Sequence, residues 1–107
     1  MIFFNNAVIN KLNKVTYKNN RGQLNTFYSK DEQDISCNVQ PITEKSKSVD
    51  WGESIDATYN IYLNSNICEV GDYILLNNKT YIVKEKIAWN NYDLIAIKEE
   101  KILWQNG

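Results

Sequence analysis

The side chains able to do chemistry in this sequence are carboxylates, hydroxyls, lysines and two thiols, because histidine is absent. Its absence removes the group that most often moves protons near neutral pH, and the commonest metal ligand. The carboxylates that stand close together form two groups: Asp31, Glu32 and Asp34, then Asp50, Glu53 and Asp56. Paired carboxylates do acid–base or glycosidic work only when a cleft fixes their separation. Both groups fall among polar residues in segments that read as loops, so nothing local would shift a pKa. Neither has the ligand period or turn glycine of an EF-hand. A Ser or Cys nucleophile would need a Lys or carboxylate base, and no motif provides one. Cys37 and Cys68 are far apart, in no metal-type spacing, and in or beside apolar stretches. They read as reduced, partly buried small hydrophobes. The expectation is a chain that is not an enzyme and that holds no cofactor or metal.

Composition agrees with a contact-making domain. The 107 residues suffice for one domain, residues 1–107, with 43% apolar and 23% charged side chains, as in ordinary globular proteins. A net charge of −1 gives no overall field toward nucleic acid or an anionic membrane. Two local basic clusters stand out, Lys11, Lys14, Lys18 and Arg21, then Lys84 and Lys86. Glu99 and Glu100 are offset by Lys98 and Lys101. No apolar run approaches the roughly 18 residues of a membrane span, and the start of the chain lacks a basic, then apolar, leader. The expectation is a soluble protein, intracellular when made, with no membrane partner. Seven Tyr, three Phe and three Trp would be enough to stack bases in a small nucleic-acid-binding β-barrel. That is the alternative from another class. Against it, Tyr59, Tyr73 and Tyr81 fall at strand positions expected to fill the interior.

Position of these groups depends on strands. Ile35, Cys37 and Val39 alternate with polar residues until Pro41, which cannot donate to a ladder. Residues 57–63 alternate likewise through Ala57, Tyr59, Ile61 and Leu63. Tyr73–Leu76 and Lys79–Val83 are β-rich runs joined by Asn77-Asn78, a pair that tolerates positive φ and closes a type I′ hairpin. Gly71-Asp72 reads as the turn that starts the first arm, and Tyr92–Lys98 returns as a further strand. Residues 7–17 fit either a short helix or a strand with a bulge. Lys18–Gly22 is a polar turn, and Leu24–Asp34 is a loop or a short strand around Phe27-Tyr28. Residues 42–56 form a long stretch without periodicity, which in a small domain points to function or mobility. Trp51-Gly52 is placed to anchor its far end. Residues 101–107 form an apolar tail. The fold class expected is mainly β: about six short antiparallel strands in a small barrel or sandwich, with a long inter-strand loop and flexible termini. Closure would hide strand edges.

The order of these features over residues 35–98 resembles a known group. It runs Val39-Gln40-Pro41, a polar loop, Trp51-Gly52-Glu53, then Tyr59-Asn60-Ile61-Tyr62-Leu63. Val70-Gly71-Asp72-Tyr73-Ile74, the Asn-Asn turn, Lys79-Thr80-Tyr81-Ile82-Val83, Trp89 and the strand 92–97 complete it. This is similar to the head–tail joining, or head-completion, proteins of tailed bacteriophages, also labelled stoppers or minor capsid proteins. The resemblance implies a β-barrel that assembles with itself into a ring, typically dodecameric, below the portal or adaptor protein. Its place would be the neck of the virion, assembled in the bacterial host cytoplasm, with the tail terminator or other tail proteins docking on it. In some such proteins a long inter-strand loop lines the channel, close to packaged DNA without specific contact, and residues 42–56 match that loop. In this chain that loop would present Glu44, Lys45, Lys47, Asp50, Trp51 and Glu53. Its net acidic character suits a wall that repels phosphates rather than grips them. Ring contacts are head-to-tail and need two different surfaces. Ile2, Phe3 and Phe4 at one end, and Ile102, Leu103 and Trp104 at the other, are the candidates to dock on neighbours, with core packing as the competing role. A tail-completion or baseplate-side component is the alternative within the structural class.

Overall fold

The computed structural model describes residues 5–42 and 57–106, whose regular structure is β strand. The segment 7–17, open between helix and strand on its sequence, is a strand. Its β-branched and aromatic residues (Val8, Ile9, Val15, Thr16, Tyr17) fit a pleated surface better than a helix. This strand, β1 (Ala7–Lys18), is the longest of eight. It is followed by β2 (Leu24–Lys30), β3 (Ile35–Pro41), β4 (Tyr59–Leu63), β5 (Tyr73–Leu76), β6 (Lys79–Ala88), β7 (Asp93–Glu99) and β8 (Trp104–Asn106).

All eight belong to one sheet, in the order β3-β4-β7-β6-β5-β1-β2-β8, with an added β3–β1 pairing that closes a ring of six. The closing strand is β1. Ala7, Val8 and Ile9 pair with β3, and Asn10, Lys11 and Leu12 pair with β5 on the opposite edge. From Leu12 onward β1 pairs with β2. β2 and β3 therefore lie end to end along one edge of β1, separated by the loop 31–34. The side chain of buried Asn10 holds that loop, donating to the Gln33 carbonyl at 3.1 Å and to Asp34 Oδ1 at 2.8 Å. β2 and β8 stand outside the ring. β8 departs from the all-antiparallel expectation: it lies parallel to β2, Trp104 beside Tyr28.

The core fills the ring. Ile9, Ile61, Ile74, Ile95 and Ile97 are fully buried, with Val83, Leu63 and Leu76 beside them, together with both cysteines and Tyr81. These are the alternate residues of their strands, as the period of two requires. Tyr59 packs at the edge of this cluster. Tyr73 does not join it: it lies opposite Leu12, turned away from the core, and its ring meets Tyr28 at 5.0 Å.

Two turns carry the positive φ angles that the sequence predicts. Asn77 and Asn78 adopt φ 52 and 63 between β5 and β6, and Gly71 adopts φ 95 just before β5. A third feature has no sequence signature. The β6–β7 ladder runs in register to Val83↔Ile97 and resumes at Glu85↔Ala96, so Lys84 is a bulge. One inserted residue reverses the facing of everything after it. Lys86, rather than Glu85, is thereby turned to the inner side opposite Ile95.

Candidate functional site

Among the described residues, the groups singled out for chemistry do not converge. Asp31 and Asp34 brace the β2–β3 loop. Asp31 Oδ1 accepts the Gln33 amide at 2.9 Å, and that bond, helped by Asn13, holds the Asp31 carboxyl below its ordinary pKa. The carboxylate closes an Asx turn. Cys37 and Cys68 are free and buried, and desolvation pushes both thiols up to about 11. A thiol so raised is a poor nucleophile at neutral pH. Among the described residues no group of three or more His, Cys, Asp or Glu is placed to hold a metal. Asp50, Glu53 and Asp56 lie outside the described residues. So do Ile2, Phe3 and Phe4, and the loop residues Glu44, Lys45, Lys47 and Trp51.

Lys84 and Lys86 do not form the basic surface cluster expected of them. Because of the bulge, the Lys86 side chain is only 12% exposed, with Nζ 2.8 Å from Glu69 Oε1 and 3.4 Å from Asp93 Oδ2. Asp93 is fully buried and also accepts the Asn66 amide at 2.9 Å. Asn66 supplies it from a positive φ of 66 in the β4–β5 loop. The bond to Glu69, reinforced by the Asp93 charge, raises the Lys86 pKa despite burial. Each charge here has a partner, so the cluster ties the β4–β5 loop to the β6–β7 hairpin rather than awaiting a ligand.

The tail, for which the sequence leaves folding back and docking both open, packs over residues 100–104 against its own chain. Thr80 Oγ1 donates to the Glu100 carbonyl at 2.5 Å and the Ile102 amide reaches the same hydroxyl at 3.3 Å. The Tyr73 hydroxyl donates to the Glu100 carboxylate, which pushes Tyr73 up to about 12. Ile102 and Trp104 are half-buried beside Lys79, Thr80 and Glu99, while Leu103 points outward at 88% exposure.

The part that protrudes is a ribbon. Beyond Leu12 the strand β1 leaves the ring with β2 alongside, in register from Asn13↔Ser29 to Lys18↔Leu24. Asn19 closes the turn, its Oδ1 accepting the amides of Arg21 and Gln23 at 2.9 and 3.0 Å, and Gly22 takes φ 78. The register sorts the side chains. Lys14, Thr16 and Lys18 share one face with Tyr28, Thr26 and Leu24, and the Thr16 and Thr26 hydroxyls meet at 3.4 Å. Val15 and Tyr17 share the other face with Phe27, the Tyr17 and Phe27 rings meeting edge to face at 5.8 Å. The second face continues the odd-numbered row that carries Ile9 into the core, yet Tyr17 is 49% exposed.

The sequence groups Lys11, Lys14, Lys18 and Arg21 as a basic cluster and leaves residues 24–34 open between loop and strand, so it does not predict this ribbon; Lys11 stays on the ring and pairs with Asp72 at 3.5 Å. A visible signal existed: the stretch Asn13–Lys30 carries no carboxylate and has a glycine near its middle. A second exposed feature, missed likewise, is the stack of Trp89 on Tyr92 at 6.1 Å, at the β6–β7 turn. Chemically, the described residues present surfaces for contact: an amphipathic ribbon, an aromatic turn and a short edge strand. Compared with known proteins, the chain matches no family model and no curated relative.

Proposed function

We propose that this chain is a structural protein of a tailed-phage or phage-like particle, a head–tail connector that assembles as a ring at the neck. It would complete the head below the portal or adaptor and offer the tail its docking surface. The observation that carries this reading is the division of the molecule. A closed six-stranded ring holds the core, and a ribbon with alternating apolar and basic faces extends beyond it. A domain that only had to fold would not need that extension. Supporting it is the order of features over residues 35–98: β3, a long connection, β4, the Gly71-Asp72 turn, the Asn77-Asn78 hairpin and β7. Head-to-tail rings need two unlike surfaces on each subunit, and the basic ribbon is unlike the net acidic remainder of the chain.

The test is deletion of the coding sequence from the phage or prophage that carries it. The expected result is DNA-filled or leaking heads and separate, complete tails, with joined particles restored by the chain supplied in trans. Normal joined particles after deletion would contradict the reading. Full heads carrying short or unfinished tails would favour a tail-completion component instead.

A further inference from the structure

We infer that the ribbon of residues 13–27 is a docking arm, and that its occupant is the body of a second copy of this chain. This rests on the self-assembly in the proposed function and names the segment that makes the contact.

Three observations carry it. The first is hydrogen bonding. β1 pairs with β5 only through Asn10, Lys11 and Leu12, and β2 pairs with β8 only through Tyr28, Ser29 and Lys30. Among the described residues, the outer edges Asn13–Lys18 and Leu24–Phe27 therefore have no strand partner. Isolated two-stranded ribbons are marginal in water, and open edges recruit other chains. The second is the apolar row. Val15, Tyr17 and Phe27 keep the alternation of a buried face, yet Tyr17 is 49% exposed. A protein surface covers such a row better than a phosphate backbone does. The third is charge. Residues 13–30 hold Lys14, Lys18, Arg21 and Lys30 and no Asp or Glu. With the whole chain at −1, everything outside that stretch sums to −5. The body of a second copy is thus the complement of the arm. Glu32, Glu85 and Glu99 are among its exposed carboxylates.

An arm of this length approaches the roughly 20 residues per side of a standard interface. Its cations are exposed, so the contact is steered by charge and weakens with salt, the screening length being about 10 Å at 0.1 M.

The test is sedimentation velocity of the full chain over a wide concentration range, in low and high salt. The expected result is reversible self-association that weakens by roughly ten-fold or more from low to high salt. K14E/K18E/R21E should lose it while keeping the wild-type unfolding midpoint. That variant still carries an intact body, so tagged wild-type chain should capture it, whereas the variant should not capture itself. A wild type that stays monomeric throughout would overturn the proposal. So would a reversal variant that associates as well as wild type, or one that wild type fails to capture. Fluorescence anisotropy with labelled duplex and single-stranded DNA runs in parallel. Tight DNA binding lost in the variant, without self-association, would assign the arm to nucleic acid and also overturn the proposal. The two readings fail separately. Self-association through the arm with normal particles after gene deletion would sink the neck function alone. Unjoined heads and tails with an arm-independent assembly would sink the arm alone.

Discussion

One strand, β1, passes through two environments. Over Ala7–Leu12 its odd residues enter a closed ring, and Ile9 is wholly buried. Over Asn13–Lys18 the same alternation continues, with Val15 and Tyr17 on the corresponding side, but the ring has ended. Periodicity reports that one face of a strand is apolar. It does not report what covers that face. The difference between the halves is the number of neighbours, two strands on the ring and one along the ribbon. Stability is expected to concentrate in the first half, and association in the second.

Substitutions should separate the two. The largest effect belongs to the ring: Ile61→Ala deletes a fully buried side chain and should cost about 3–4 kcal/mol in urea unfolding. Asp93→Ala should cost about 2 kcal/mol, because it leaves the Asn66 amide without its acceptor and takes one of two carboxylates from Lys86, which keeps Glu69. A cost below about 1 kcal/mol would show that the cluster with Lys86 and Asn66 is not structural.

The thiols give a pH signature of the same core. Both fold with pKa raised to about 11 from 9.0. Their contribution to stability is fully present below pH 9. It is lost as pH rises, because the unfolded chain releases those protons first, and the loss is complete above about 11. It amounts to at most about 3 kcal/mol per thiol. The fall in unfolding free energy from neutral to alkaline pH should shrink in C37A/C68A; an unchanged fall would place the thiols in contact with water. Gly71→Ala adds a Cβ that meets no atom within 4 Å, so its cost of about 1 kcal/mol is the backbone's alone. The smallest effect belongs to the ribbon. Tyr17→Ala should change stability by less than about 1 kcal/mol and yet weaken assembly. A larger loss would mean that the ribbon is part of the folding unit, and the contrast would dissolve.

Much of the ring was legible in the sequence, because its signals are local. Cys37 and Ile35 alternate with polar neighbours, Asn77-Asn78 can adopt positive φ, and Gly71 precedes a β-rich run. Three features were not legible. The bulge at Lys84 inserts a residue without any special side chain. The inward turn of Lys86 toward Asp93 therefore could not be read, although the burial of an aspartate at the start of β7 follows from it. The strand position of Tyr73 predicts an interior side chain. It points outward because its partner across the ladder, Leu12, lies on the outer face. Finally, β8 is only three residues long and parallel. A parallel partner comes from distant pairing, which no local pattern encodes. The candidate surface was half legible: its cations were visible as a cluster, but their sorting onto one face needed the β1–β2 register.

Amide hydrogen exchange tests the central claim most directly, by comparing the dilute chain with the assembled one. The account predicts slow exchange in β4, β6 and β7 in both states, and fast exchange over residues 13–27 when dilute that slows on assembly. Equal protection of the ribbon and the ring in the dilute chain, or a ribbon unaffected by assembly, would contradict it.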